Sequence, residues 1–512
     1  MRLFQSIAGL RCFLERSRLG KKVGLVPTMG ALHAGHLSLI EQACRDNEIA
    51  IATIFVNPLQ FGPTEDYQQY PRTLEQDLQL CQQLGVAAIF APTAEELYGN
   101  HIPSSAEGER LTQVVPPTTM TSVLCGRSRP GHFQGVATIV TKLLNIVQPT
   151  NAYFGQKDAQ QLAIIRRLVA DLNLPVNIVG CPIVREQSGL AYSSRNHYLT
   201  PEEKEQATVL SRALKQAEKI FQSGERQGIS LLNAVKEEFA AVPEAQLEYV
   251  ELVHPKTLKP LEQVEEAGLL AIAARLGSTR LIDNFILRHR RPIVAIDGPA
   301  GAGKSTVARQ VAQSLGLLHL DTGAMYRAIT WLVLESGIDI GDECAIAELT
   351  SQAQLQFSMD EVSETVLRVW INGKEVTQAI RSSQVTANVS AIAAQAAVRQ
   401  ALVRQQQRWG QTGGIVAEGR DIGTHVFPDA EVKIFLTASV QERARRRQQD
   451  LKSQGQGEFS LEQLQHDIST RDTYDSTRAL APLQKAADAR EVNTDGLSVD
   501  QVTQEIVSLV RG

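Results

Sequence analysis

The sequence predicts an α/β fold in two successive domains, and three observations carry that reading. The stretch PIVAIDGPAGAGKST, from Pro292 to Thr306, is an apolar strand running into a glycine-rich loop, a lysine and two hydroxyl residues. Between Lys22 and Phe90, apolar runs of strand length alternate with amphipathic helical runs, the rhythm of an open, mainly parallel sheet. A chain of 512 residues is also longer than one hydrophobic core supports. A phosphate loop normally opens its domain, so everything before Pro292 needs a domain of its own.

Composition excludes several classes. Hydrophobic residues make up 43% and charged residues 21%, the balance of a soluble globular protein. A net charge of −5 argues against a general nucleic-acid or membrane-surface binder. Cys12, Cys44, Cys81, Cys125, Cys181 and Cys344 are scattered, with no C-x-x-C pair and no zinc spacing, which reads as reduced thiols in a cytosol. No apolar run reaches membrane-span length and no signal-peptide core opens the chain, so no membrane partner and a cytoplasmic location are expected.

Taken in order, Met1–Gly20 carries a helical stripe at Leu3, Phe4, Ile7, Leu10, Phe13 and Leu14. Lys22–Pro27 reads as a buried strand, followed by TMGALHAGH (Thr28–His36) and a helical run from Leu37. His33 and His36 fit three readings: a metal pair, a structural pair, or donors to phosphate oxygens with Gly30 and Gly35 allowing close backbone approach. Ile49–Val56 and Val86–Phe90 read as strands, and Leu74–Leu84 as a helix. Ligands of such a sheet bind beyond the C-terminal strand ends. The polar loops FVNPLQF (Phe55–Phe61), RPGHFQGV (Arg129–Val136), FGQKDAQQ (Phe154–Gln161) and YSSRN (Tyr192–Asn196) are therefore the candidate site. Pro201–Val264 mixes helical runs with the alternating strand Leu247–Val253.

With PTMGALHAGH (Pro27–His36) and RLGSTRLIDN (Arg275–Asn284), these loops resemble pantothenate synthetase, and the H-x-G-H core is similar to the signature of nucleotidyltransferases. The resemblance covers residues 1–287. It implies a Rossmann-like nucleotidyltransferase-type domain over about 1–185 and a small C-terminal cap lobe over about 186–287, with Arg275–Asn284 as the closing strand. It also implies that (R)-pantoate attacks the α-phosphate of ATP to give pantoyl adenylate, which β-alanine then converts to pantothenate. Met29, Gly30, His33, Gly35, His36, Gly155, Lys157, Asp158, Val184, Tyr192, Ser193, Ser194 and Arg195 would bind ATP. Of these, His33, His36, Lys157, Ser193, Ser194 and Arg195 would stabilise the charge that builds on phosphate, with His36 as proton donor. Gln60 and Gln161 would hold pantoate and β-alanine, while His132 would bind substrate or brace its loop. A homodimer through this half is expected on the same resemblance.

Residues 288–291 form a short basic connector without a flexible linker, a solvated joint rather than a nucleic-acid patch. In the loop that follows, Gly298, Gly301 and Gly303 would wrap ATP phosphates. Lys304 would reach the outer phosphates, Thr306 would join the ATP contacts, and Ser305 would hold Mg²⁺. VLRVWINGKEV (Val366–Val376) signals a hairpin at Asn372-Gly373. Glu442–Arg447 is the most basic run, with spacing that suits a mobile lid.

GPAGAGKST, LDTGAMYR (Leu320–Arg327), VAEGRDIGT (Val416–Thr424) and RDTYDSTR (Arg471–Arg478) together resemble bacterial cytidylate kinase. That resemblance spans 292–512. It implies a P-loop nucleoside monophosphate kinase domain with an inserted β-containing NMP-binding lobe, moving the ATP γ-phosphoryl group to CMP or dCMP. Thr322, Arg327, Arg420, Asp421, Arg471, Asp475 and Arg478 would contact CMP, and Arg443, Arg445, Arg446 and Arg447 would close as a lid. The whole resembles an end-to-end fusion known as a bifunctional family of cyanobacteria, using Mg-ATP at both sites. Two other readings stay open: a different acid, amine or nucleotide as substrate, or one half acting only as a nucleotide-sensing or scaffold module.

Overall fold

The computed structural model describes residues 1–511 except 64, 100–110, 360–366, 454–459, 478–481 and 487. It divides into two compact units, Met1–His289 and Arg290–Gly512.

The first unit is built on a parallel sheet of β1 (Arg2–Phe4), β2 (Val23–Thr28), β3 (Ile49–Ile54), β4 (Ala88–Phe90), β5 (Asn151–Gly155) and β6 (Asn177–Cys181), in the order β1-β4-β3-β2-β5-β6. The chain runs outward to one edge from β2 and to the other from β5. These neighbours are thus the topological switch point, and the loops after them open onto one crevice. β1 departs from the single opening helix that the periodicity predicts. Phe4 is drawn into pairing with Phe90, and the helix starts only at Ile7, capped by Ser6, whose Oγ accepts from the Gly9 N–H at 3.2 Å.

The C-terminal lobe of this unit is an antiparallel sheet of β7 (Ala245–Val253), β8 (Ala267–Leu276) and β9 (Thr279–Arg288). Here too the structure corrects the sequence reading. Arg275–Asn284 is not one closing strand but a hairpin, turning at Gly277 with φ +53°. Helix Val209–Gln222 covers the sheet with Leu210, Leu214, Ala217 and Phe221, residues three and four apart on one face.

The second unit centres on β10 (Arg291–Asp297). With β11 (Leu318–Asp321), β15 (Gly413–Gly419), β16 (Val432–Thr437) and β17 (Arg490–Asn493) it forms a parallel sheet, ordered β11-β15-β10-β16-β17. Between β11 and β15 lie the strands β12 (Leu355–Met359), β13 (Leu367–Ile371) and β14 (Lys374–Glu375), an antiparallel sheet. Asn372 and Gly373 both take positive φ, +49° and +79°, the pair of left-handed residues a tight hairpin needs. Among the described residues the small sheet shares the domain core: Leu355, Val369 and Ile371 pack in one cluster with Ile293, Leu320 and Ile329. Among the described residues no helix is long and apolar enough to cross a membrane.

Candidate functional sites

In the first unit, the loop after β2 and the turn after β5 face a cleft of about 730 Å³. Met29, His33, Gly35, His36, Gln60, His132, Gly155, Lys157, Asp158, Gln161, Val184, Tyr192, Ser193, Ser194 and Arg195 all line it. Gly30 does not: it is buried behind the loop at φ +83°, against the Asp77 carboxylate.

Asp77 explains the loop's shape. It accepts the Ala31 N–H at 3.0 Å, the Leu32 N–H at 2.9 Å and the Thr73 hydroxyl at 3.3 Å. That leaves His33 as the N-cap of helix Ala34–Asp46, its Nδ1 accepting the Gly35 N–H at 3.2 Å. An accepting Nδ1 places the proton of a neutral ring on Nε2. The rings of His33 and His36 lie 4.0 Å apart. Burial lowers the His33 pKa to about 3, with His36 and Lys157 adding, and burial lowers that of His36 to about 4, with Lys157 adding. Both are neutral imidazoles, and Nδ1 of His36 is buried without a hydrogen-bond partner among the described residues. Among the described residues no three His, Cys, Asp or Glu side chains gather to hold a metal ion.

The opposite wall depends on further residues of the same candidate loops, together with Tyr98. Asn57, 1% exposed, donates to Gln60 Oε1 and to the Gly135 carbonyl, both at 3.2 Å, and accepts from the Tyr98 hydroxyl at 2.7 Å. Gly135 is required there, because a Cβ would sit 2.2 Å from the Leu59 carbonyl oxygen. His132 has both nitrogens engaged: Arg129 can only donate, so Nε2 accepts from it at 3.1 Å and Nδ1–H donates to the Gln60 carbonyl at 2.7 Å. It braces the Gln60 loop. Lys157 is set from the other side by Asn284, which donates to its carbonyl at 2.8 Å and to that of Gln156 at 3.0 Å.

Two arginines of this cleft are already paired. Arg195 gives Nε and Nη2 to Asp66 at 2.9 and 2.8 Å, and Arg129 gives Nε to Glu65 at 2.7 Å. Both acids come from the segment after Phe61, outside the candidate loops.

In the second unit, the loop after β10 carries Gly298, Gly301 and Gly303, all at positive φ, into helix Lys304–Leu315. Lys304 is buried and donates to its own loop, at 2.7 Å from the Pro299 carbonyl. Burial and Arg420 lower its pKa to about 7 against the pull of Glu418 and Asp297. Burial also raises Asp297 to about 7, although it accepts the Ile422 and Gly423 N–H groups at 2.8 and 2.7 Å. Ser305 is exposed, with its Oγ 2.6 Å from Glu418. Thr306 is exposed on the helix, and Thr322 is buried with its hydroxyl on the Glu418 carbonyl at 2.7 Å.

Of the expected CMP residues, Arg420 pairs with Asp475 at 2.7 Å, and Asp421 pairs with Arg399 from helix Ala396–Trp409. Arg399 was not singled out by sequence, where it looks like one more arginine on a polar helix. Arg471 is held below its ordinary pKa by burial and by Arg420, with Arg327 and Arg447 adding, so these four cations share one region. Arg478 lies outside the described residues. The four lid arginines do not act alike. Arg443 is buried, bonded to Asp472 at 2.6 and 2.9 Å and to the Ala300 carbonyl at 3.2 Å, whereas Arg445 and Arg446 pair with Glu442 at 2.9 Å. Arg447 joins the cation cluster, whereas the other three sit beside acids, Arg443 by reaching a second helix and Arg445 and Arg446 by spacing along their own.

Comparisons with known proteins bear on both units. The family model described as pantoate-beta-alanine ligase matches residues 2–286, and that of cytidylate kinase matches residues 294–512. A protein of Nostoc sp. named bifunctional pantoate ligase/cytidylate kinase is 63% identical, covering 99% of this chain and 98% of its own. One of the same name from Synechocystis sp. is 56% identical, covering 100% of this chain and 99% of its own. Among solved structures, pantothenate synthetase from Thermus thermophilus is 47% identical with a TM-score of 0.52, covering 56% of this chain and 99% of that one.

Proposed function

Because the chain belongs to the bifunctional pantoate ligase/cytidylate kinase family, we propose that each unit holds one complete active site and that the two work independently. The protein is a ligase that makes pantothenate and a kinase that phosphorylates CMP. The observation that carries independence is that, among the described residues, the cleft is lined by residues from Pro27 to Asn284, while every kinase candidate lies beyond Arg290 in the chain.

In the ligase, the pantoate carboxylate attacks the α-phosphate while Nε2–H of His33 and the ring of His36 donate to phosphate oxygens. As neutral donors they gain strength as charge develops, which favours the transition state over the ground state. Lys157 supplies positive charge, and Gln60, held by Asn57, orients pantoate. In the kinase, glycine-loop N–H groups and the helix N-terminus cradle the phosphates, Lys304 leaves Pro299 for them, and the clustered arginines take the phosphate of CMP. Ser305 would hold Mg²⁺. Its hydroxyl proton goes to Glu418, which leaves oxygen lone pairs free, the hard donor this ion takes. Bound there, the ion offsets charge on the β- and γ-phosphates.

Six free thiols suit a reducing cytoplasm. The expectation of a homodimer through the ligase unit rests on family resemblance, and sedimentation at low protein concentration tests it. Independence is tested by paired assays. Lys304→Ala should abolish CMP-dependent ADP formation and spare pantothenate formation, and His36→Ala should do the reverse. Loss of both activities in either variant overturns the two-site reading.

A further inference from the structure

Behind the kinase cradle, side chains from three elements form a chain of hydrogen bonds that ends on the loop serine. His319 Nε2 lies 2.9 Å from Glu418 Oε1, and Ser305 Oγ lies 2.6 Å from Glu418 Oε2. His319 and Glu418 are only 5% and 4% exposed. The parallel pairing of β11 with β15 sets Asp321 opposite Glu418. His319, two residues before Asp321, is on the same face of the sheet and reaches the carboxylate diagonally. An ionised carboxylate only accepts, so both bonds are donated to it: Nε2 carries the imidazole proton, and Ser305 gives up its hydroxyl proton. The main chain is fixed at the same residue, where Thr322 Oγ1 donates to the Glu418 carbonyl at 2.7 Å.

This arrangement leaves the Glu418 carboxylate one orientation. With His319 on one oxygen, the other is aimed at Ser305, and the Ser305 proton points inward. The lone pairs of Ser305 Oγ then face outward, on the exposed side of a residue whose neighbour Lys304 is buried. An apolar side chain at 319 would strand a buried carboxylate oxygen without a donor, and the carboxylate would turn to recover one. Ser305 would lose its fixed rotor with it.

We propose that His319 is a positioning residue of the kinase: through Glu418 it orients the Ser305 hydroxyl so that its oxygen faces the cation bound to ATP. This rests on the reading of Ser305 as the Mg²⁺ residue. Residues that orient a metal ligand typically carry about 10- to 100-fold in metal affinity or activity.

The test uses the full chain and a bisubstrate analogue joining adenosine and cytidine through five phosphates, which reports on the kinase unit alone. Its affinity is measured by calorimetry with Mg²⁺ and with a chelator, and the ratio of the two is the Mg²⁺ gain. His319→Leu should cut that gain roughly tenfold while leaving the chelator affinity unchanged. His319→Gln, whose amide N–H falls where Nε2–H stands, should restore most of it. If the leucine variant does not fold by circular dichroism, His319→Asn, polar but too short to reach Glu418, replaces it with the same expectation. Ser305→Ala separates the two layers of inference. If it keeps the full Mg²⁺ gain, the reading of Ser305 itself is wrong. If it loses the gain while the position-319 variant keeps it within twofold, or weakens equally with and without Mg²⁺, the role of His319 alone is overturned.

Discussion

The two sites meet one demand, charge on the phosphates of ATP, with opposite constructions. The kinase cradle is contiguous: loop, lysine and helix start follow one another from Gly298 to Ser305, and the cations Arg327, Arg420, Arg447 and Arg471 crowd one another, with Asp475 paired to Arg420 among them. The ligase cleft is assembled from distant segments, its histidines are neutral, and Arg195 and Arg129 face it already paired with acids. Chemistry accounts for the difference. The ligase nucleophile is itself a carboxylate, and a cluster of bare cations would bind that anion as tightly before the reaction as during it. The kinase must bring two phosphorylated nucleotides together, so an excess of positive charge helps it throughout.

The largest effect should come from breaking each construction at a glycine of its site that is pressed against backbone. A Cβ at Gly135 would meet the Leu59 carbonyl oxygen at 2.2 Å, and one at Gly298 would meet that of Leu436 at 2.2 Å. Gly135→Ala should displace the Gln60 loop and lower pantothenate formation about a hundredfold or more, while CMP phosphorylation stays within twofold. Gly298→Ala should give the mirror result. Steady-state assays of both activities on each purified variant decide it, and a variant that damages both halves would break the contrast between two self-contained sites.

A smaller effect sharpens the role of the paired cations. Asp66→Asn removes the charge that balances Arg195 and one of its two acceptors. If pairing orients Arg195 for the transition state, kcat for the ligase should fall about tenfold with the KM for ATP unchanged or lower. A higher KM at constant kcat would mean that Asp66 serves substrate binding alone, and the ligase would then differ less from the kinase than the geometry implies.

How much of each site was legible follows from the same contrast. The phosphate loop could be read from spacing because its geometry is local, and so could the Asn372-Gly373 turn, whose positive φ values are set by the two residues themselves. In the ligase, His33, His36, Lys157 and Ser193 stood out as motifs. Two acids that fix the chain around them did not: Asp66 meets Arg195 across 129 positions, and Asp77 meets Leu32 across 45. An acid in a polar loop or in the first turn of a helix has many ordinary uses, and only folding shows which partner it finds. The short strand at Arg2–Phe4 was hidden for a related reason, since its apolar residues also fit a helical stripe and only the exposed edge of β4 decides between them.

The smallest expected effect concerns pH, where the two units should respond with opposite signs. His33 and His36 have native pKa values of about 3 and about 4 against an ordinary 6.5. Between pH 6.5 and 4 the unfolded chain binds protons that the native ligase unit refuses, so their contribution is full above 6.5 and is lost as pH falls through that window. By pH 5 a shift of this size amounts to at most about 2 kcal/mol for each ring. Asp297 in the kinase unit, raised to about 7 from 3.8, works the other way. Its contribution is present below 3.8 and is lost as pH rises through 7. Pulse proteolysis in urea at pH 7 and pH 5 can follow each unit by its own fragments. The ligase midpoint should fall on acidification, and by less in His36→Gln; the Asp297→Asn variant should forfeit a relative gain that the wild-type kinase unit shows at pH 5. Equal acid sensitivity of wild type and His36→Gln would mean that the histidines are not held neutral by burial, and that the ligase, like the kinase, meets phosphate with charge.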